Sequence, residues 1–299
     1  MKATAQTLPT AIVAEKSWPA VYADLVKARL TLLVLLTTLV GFYVGSRGPA
    51  DLALMAHTLF GTALLAGGAA ALNELWERDH DARMRRTQGR PLPSGRLQPA
   101  TVLLFGVTCA VAGLAWLALA VNVPAALLGT ASLACYLFVY TPLKRVTWLN
   151  TLVGAIPGGL PPLIGWAAAR GELDAGGWAL FAIQACWQVP HFLAIAWIYR
   201  EEYARAGFVM LPVVDRAGRQ TGRVSVALAL ALVAASLGPF VFGLAGPVYL
   251  AGALALGLLF AGLAVRFARD LTLPRAWQLF YASLLYLPLV LGLLVLDKR

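Results

Sequence analysis

Charge is scarce in this chain. Only 13% of its 299 residues are Asp, Glu, Lys or Arg, against 60% hydrophobic. That leaves too little polar surface to coat a water-soluble globule and excludes that class. Acidic residues are scarcer still, 14 against 24 Lys and Arg. In a soluble protein the net charge of +10 would suggest nucleic acid, but its distribution along this chain points to a lipid bilayer, and nucleic acid is set aside. The three cysteines, Cys109, Cys135 and Cys186, sit inside apolar stretches without metal-type spacing. They read as small packing residues with no redox role. Strict two-residue alternation is missing, so no β-barrel competes. No small-residue cleavage site accompanies the first apolar run, which argues against a removable secretory signal. Paired internal repeats with interrupted helices, the mark of many transporters, are missing too.

What is present is a succession of apolar runs, nine in number, at about 24–46, 51–76, 99–120, 123–141, 148–168, 176–199, 223–244, 247–266 and 275–296. Each approaches or reaches the ~20 residues a helix needs to cross the hydrocarbon core. The predicted class is an all-α polytopic membrane protein, with an N-terminal tail over 1–23 and a single transmembrane domain over 24–299. The connections alternate in charge. The tail, 77–98, 142–147, 200–222 and 267–274, with their flanking helix ends, hold all but four of the basic residues; Arg47, Arg170, Lys298 and Arg299 fall in the other set. The positive-inside rule then places the N-terminus in the cytoplasm, the C-terminus outside and the function on the cytoplasmic side.

The second apolar run ends in Asn73-Glu-Leu-Trp-Glu77-Arg-Asp79-His-Asp81. Spaced by four, Asn73, Glu77 and Asp81 share one face of a helix, drifting only about 80° over two turns. An amide oxygen and two carboxylates make a hard-oxygen site suited to Mg²⁺ that also binds a substrate phosphate. Solvated charges at a helix end are the alternative, and the arginines that follow shift the balance. Arg83, Arg85, Arg86, Arg90 and Arg96 lie within fifteen residues, and the guanidinium fork grips phosphate oxygens in pairs. Arg86 and Arg90, beside the proline turn Arg90-Pro-Leu-Pro, are the preferred phosphate binders; others serve to anchor the surface on anionic lipid. Metal ligands and guanidinium groups at one membrane face imply a diphosphate substrate whose apolar remainder lies in the bilayer. His191, inside the sixth run, is costly there and so a functional candidate. His57 reads as a packing group and His80 as a loop residue.

These residues resemble the first motif of the UbiA superfamily of intramembrane prenyltransferases, Asn-x-x-x-Asp-x-x-x-Asp, with Asn73, Glu77 and Asp81 in its places. The similarity is closer to the protoheme IX farnesyltransferase (haem O synthase) branch, whose Met-x-Arg-Thr-x-x-Arg-Pro-Leu is matched by Met84-Arg-Arg86-Thr87-Gln-Gly-Arg90-Pro91-Leu92. Tyr140-Thr-Pro-Leu-Lys144-Arg145, Pro161-Pro-Leu-Ile-Gly165-Trp166, Trp187-Gln-Val-Pro-His191-Phe, Glu201-Glu202-Tyr203 with Met210-Leu-Pro212, and Tyr286-Leu-Pro288 extend it from about residue 25 to 290. Glu77 departs from the family's usual aspartate, and its extra methylene matters to a metal with strict octahedral demands. Asp79 or Glu74 is therefore a possible sharer of its load.

The resemblance implies a UbiA-like bundle in a bacterial plasma membrane that transfers the farnesyl group of farnesyl diphosphate to a vinyl group of haem B, with water supplying a hydroxyl and diphosphate leaving. Haem B is a substrate here, and Mg²⁺ the expected cofactor. It implies metal ligands at Asn73, Glu77 and Asp81, joined by the pair Glu201 and Glu202. The expected catalytic set is Asn73, Glu77, Asp81 and Lys144. Arg86, Arg90, Lys144 and Arg145 would bind diphosphate, and His191, Tyr140 and Trp187 the haem, His191 by ligating or orienting its iron. Tyr140, Trp166 and Trp187 are candidates to shield an allylic cation. A downstream haem A synthase is a candidate partner. The alternatives are a superfamily enzyme acting on an aromatic or quinone precursor, and, from another class, a transporter or a non-catalytic haem-handling protein.

Overall fold

The computed structural model describes residues 16–299. A short helix, α1 (Trp18–Leu25), precedes nine helices that are long and apolar enough to cross a membrane: α2 (Ala28–Gly45), α3 (Leu52–Asp81), α4 (Pro99–Ala120), α5 (Val123–Leu143), α6 (Asn150–Arg170) and α7 (Ala175–Ile198), then, after the short α8 (Arg200–Ala206), α9 (Arg219–Val241), α10 (Pro247–Asp270) and α11 (Leu273–Leu296). Among the described residues no strand forms, as expected where the lipid offers backbone groups no partners and each span must satisfy its own.

The spans begin where local chemistry caps them. Asp51 accepts from the Leu54 amide at 3.0 Å, Asn122 from Ala125 at 2.9 Å, and Asp174 from Gly176 and Gly177 at 3.0 and 3.3 Å. Each satisfies an amide left free by the first turn. Two of the boundaries that differ from the sequence reading bear on the site. The first span starts at Ala28, because the chain breaks after α1 and Lys27 adopts the left-handed region at φ 49°. Of the expected tail, residues 1–15 lie outside the described residues, and α1 itself docks on the bundle by burying Val21 and Leu25 against Ala71, Leu92 and Val102. The second span runs on to Asp81, five residues past its expected end.

Helices α6 and α7 form the centre, with 72% and 67% of their apolar windows buried against 22–39% for the other seven. The outer helices turn Leu32, Leu104, Leu119, Phe138, Leu258 and Leu285 outward, a surface that suits lipid and would be an aggregation patch in water. Close backbone approach joins α2 to α6: a Cβ on Gly41 would lie 2.0 Å from the Pro162 carbonyl oxygen, and one on Gly165 2.0 Å from that of Thr38. Small residues at such crossings supply the van der Waals contact that holds helices together without a hydrophobic drive. The three cysteines are free and half-buried, and His57 packs on Trp116, in line with packing roles.

Candidate functional site

A cavity of about 400 Å³ opens at the end of the bundle where α3 stops, and runs down between α2, α3, α5, α6 and α7. Its depth is apolar, lined by Leu33, Val34, Leu65, Ile164 and Pro161, and its head is ionic. Because α3 stays helical to Asp81, Asn73, Glu77 and Asp81 form one continuous stripe, each less than 5% exposed.

Each member of that stripe faces a cation from a different element. Lys27 donates from Nζ to Asn73 Oδ1 at 2.8 Å, Lys144 from Nζ to Glu77 Oε1 at 2.8 Å, and Arg90 to Asp81 Oδ2 at 2.5 Å. Asn73 is oriented from its other side, where its amide nitrogen donates to the Thr141 hydroxyl, which in turn donates to the Tyr136 carbonyl. Local backbone chemistry makes this possible. The end of α5 widens into a π-helical stretch over Cys135–Tyr140, a distortion that recurs at functional sites. The rings of Tyr136 and Tyr140 stack at 5.8 Å, and the Lys144 ammonium lies 4.4 Å over Tyr140, a cation–π contact in a setting largely cleared of water.

Burial lowers the Lys27 pKa to about 8, with Arg90 and Lys144 adding repulsion and Glu77 and Asp81 opposing it. Lys144 moves the other way: burial alone would lower it, but the Glu77 carboxylate against it, helped by the two tyrosines, holds it above the ordinary lysine range. The head of the cavity is thus a set of positive groups held in place by a few carboxylates, and an arriving polyanion would meet donors already oriented.

Arg86 lies at the mouth, its guanidinium over the Tyr199 and Tyr203 rings and donating to the Tyr203 hydroxyl at 3.0 Å. Arg145 is a correction to the sequence reading. It is exposed, donates to the Trp76 carbonyl at 3.0 Å and lies outside the cavity lining, since the turn after α5 points Lys144 inward and Arg145 out. Glu201 and Glu202 require another. They sit in the first turn of α8; Glu201 is exposed, Glu202 meets the Arg86 backbone amide at 3.4 Å, and neither lines the cavity. Tyr203 takes the inward place instead. Among the described residues no three His, Cys, Asp or Glu side chains gather at metal-ligating distance; the oxygen donors that line the cavity from one helical face are Asn73, Glu77 and Asp81.

The possible sharers of Glu77's load face elsewhere. Asp79 is largely exposed and pairs with Arg78 at 3.4 Å. Glu74 is fully buried and outside the cavity lining; its Oε1 accepts from the Leu92 amide at 2.9 Å. It thereby pins the Arg90 to Leu97 loop whose first residue grips Asp81. Trp166 also departs from expectation, being sealed within the bundle under Arg170 and away from the cavity. Tyr140, Trp187 and His191 do line it. Trp187 stacks on His191 at 5.0 Å and donates to the Ser283 carbonyl at 2.8 Å, and His191 stacks on Phe280 from the other side at 5.2 Å. Sequence reasoning missed Lys27, Thr141 and Ser283, because a lysine near a span end, a threonine and a serine carry no pattern of their own.

Comparison with known proteins shows the family and the fold. The UbiA prenyltransferase family matches residues 34–287. A protoheme IX farnesyltransferase of Solibacter usitatus is 49% identical over 286 residues, covering 93% of this chain and 98% of that protein. A structure described as a digeranylgeranylglyceryl phosphate synthase in membranes superposes with a TM-score of 0.79 at 16% identity, over 93% of this chain and 98% of that one. A UbiA homologue from Archaeoglobus fulgidus bound to DMAPP and Mg²⁺ superposes with a TM-score of 0.68 at 18% identity, over 91% and 98%.

Proposed function

The chain belongs to the UbiA prenyltransferase family, and we propose that it transfers the farnesyl group of farnesyl diphosphate to a vinyl group of haem B, with water supplying the new hydroxyl, giving haem O and diphosphate. Identity over nearly the whole length of a protoheme IX farnesyltransferase supports the substrate pair. The observation that carries the chemistry is the meeting of Lys27, Lys144 and Arg90 with Asn73, Glu77 and Asp81 at the head of an apolar cavity.

The cavity suits a molecule with a polyanionic head and a hydrocarbon tail. The tail lies among Val34, Leu65 and Ile164, and the head reaches Lys27, Lys144, Arg90 and Arg86. The oxygen stripe fits Mg²⁺ by donor type, an amide and two carboxylates on one helical face, each already attracting a cationic nitrogen. The longer Glu77 side chain reaches the same row of cations as Asp81. When bound, the metal would neutralise charge on the leaving diphosphate. The protein's own cations do the same work: as the bond from carbon to bridging oxygen lengthens, negative charge grows on oxygens that Lys144 and Arg90 can reach with donors needing little reorganisation. The Tyr140 ring lines the cavity beside Lys144 and screens the allylic carbon from water. Trp187 and His191, farther along the same wall, face the acceptor.

We further take the protein to lie in a bacterial plasma membrane with the cavity head at the cytoplasmic side, the N-terminus inside and the C-terminus outside, on the asymmetry of its basic residues. The nine spans, with α1 docked on them, act as one domain, and a haem A synthase would consume the product. The test is incubation of purified protein with haem B, farnesyl diphosphate and Mg²⁺, followed by mass analysis of the haem. Haem that gains one farnesyl group and one hydroxyl group supports the reading; unaltered haem with prenylation of an aromatic acid would overturn it.

A further inference from the structure

One buried polar contact on the cavity wall determines which nitrogen of His191 is available. His191 Nδ1 lies 2.7 Å from the Ser283 hydroxyl oxygen, across the contact between α7 and α11. That hydroxyl lies 2.5 Å from the Phe280 carbonyl oxygen one turn back on its own helix. Two bare acceptor oxygens cannot sit that close, so the hydroxyl proton lies between them and Ser283 donates to Phe280. The Ser283 oxygen then has only lone pairs for its second neighbour. His191 Nδ1 must carry the proton and donate, which leaves Nε2 as the unprotonated nitrogen of a neutral ring.

The free nitrogen faces the cavity. His191 is among the cavity-lining residues, and among the described residues no protein group takes Nε2, which is not sealed in the interior either. The ring cannot easily turn to exchange its nitrogens. It is held between Trp187 and Phe280, and Trp187 is itself tied to the Ser283 carbonyl by its indole N–H. One residue of α11 therefore fixes both the tautomer and the stacking partner of a histidine on α7.

We propose that Ser283 is a positioning residue for the acceptor: by accepting the Nδ1 proton it presents the His191 Nε2 lone pair to the iron of the porphyrin substrate. This rests on the haem farnesyltransferase reading given above, and the observation extends it by naming the atom that meets the iron and the group that keeps that atom bare. The arrangement is the familiar one for metal-binding histidines, in which the second ring nitrogen is committed to an oxygen acceptor that sets the ring's orientation.

Only three histidines occur in the chain, so ¹⁵N-histidine NMR of the full-length protein in detergent can read the tautomer directly, with His191 assigned by the signal lost in His191→Ala. The expected result is a Nδ1-protonated His191 in the wild type and in Ser283→Thr, which keeps the hydroxyl. In Ser283→Ala, loss of an ordinary neutral hydrogen bond should shift the tautomer ratio by about 10-fold. Should Ser283→Ala not fold, Ser283→Cys, of similar size but a weak acceptor, takes its place. A Nε2-protonated His191 in the wild type, or a ratio unchanged on removing the hydroxyl, overturns the role of Ser283. Titration with haem B then reads the iron: a nitrogen-ligated absorption and EPR signature is expected in the wild type and Ser283→Thr, weakened in Ser283→Ala and lost in His191→Ala. A signature unchanged in His191→Ala overturns the iron as the target, and does so independently of whether haem is still farnesylated.

Discussion

Replacing Lys144 by methionine separates what the ionic head contributes to the fold from what it contributes to the reaction. Lys144 and Glu77 are paired at 2.8 Å with side chains 11% and 5% exposed. Removing one partner of such a buried pair leaves an uncompensated charge and costs on the order of 3–5 kcal/mol. Lys27 and Arg90 line the same cavity and soften the loss, so about 3 kcal/mol is expected for Lys144→Met, seen as a melting temperature lowered by several degrees in detergent. Adding Glu77→Gln removes the stranded charge, so the double variant should recover most of that stability, because a neutral pair of similar shape carries little desolvation cost. Activity should not recover. A donor that meets charge developing on a leaving group is worth roughly 10²–10³ in turnover, and product mass should show Lys144→Met that far down and the double variant, which also loses Glu77, no better. A double variant no more stable than Lys144→Met would refute the coupling, and turnover within about 10-fold of wild type in Lys144→Met would refute its task at the diphosphate.

Glu77→Gln and Asp81→Asn should each abolish divalent-dependent turnover in folded protein, and chelation of the wild type should mimic them reversibly; activity retained in both variants would remove the stripe as a metal site. Glu74→Leu should raise KM for the diphosphate substrate about 10-fold by freeing the loop that carries Arg90, whereas Glu74→Gln, which can still accept from the Leu92 amide, should stay within about 3-fold. Arg86→Ala should raise KM by a similar factor through loss of a charge-assisted contact, while Arg145→Ala, at an exposed position outside the cavity, should change kinetics by less than about 2-fold. Steady-state kinetics on both substrates separates these cases.

Much of this architecture was legible because lipid leaves few options. Nine apolar runs had to be helices, and the runs at 99–120 and 275–296 coincide with α4 and with all but the first two residues of α11. The stripe Asn73, Glu77 and Asp81 was legible too, since its spacing depends only on helical geometry. What the sequence could not display is partnership. Glu201 and Glu202 have the right chemistry for ligands, yet their place in the first turn of α8 directs them away from the cavity. Lys144 and Arg145 are neighbours of the same charge, and only the turn ending the π-helical stretch decides that one faces Glu77 and the other the surface. Lys27 shows the limit most clearly. It reads as one more interfacial lysine, but the break between α1 and α2 holds it in the left-handed region, a conformation that costs a non-glycine residue about 1–2 kcal/mol. That cost is offset by what the kink achieves, since it brings the Lys27 ammonium to Asn73 Oδ1. Replacing Lys27 by glycine would keep the kink and lose the cation, so a protein that remains folded yet binds diphosphate poorly would show that the kink exists to deliver the charge.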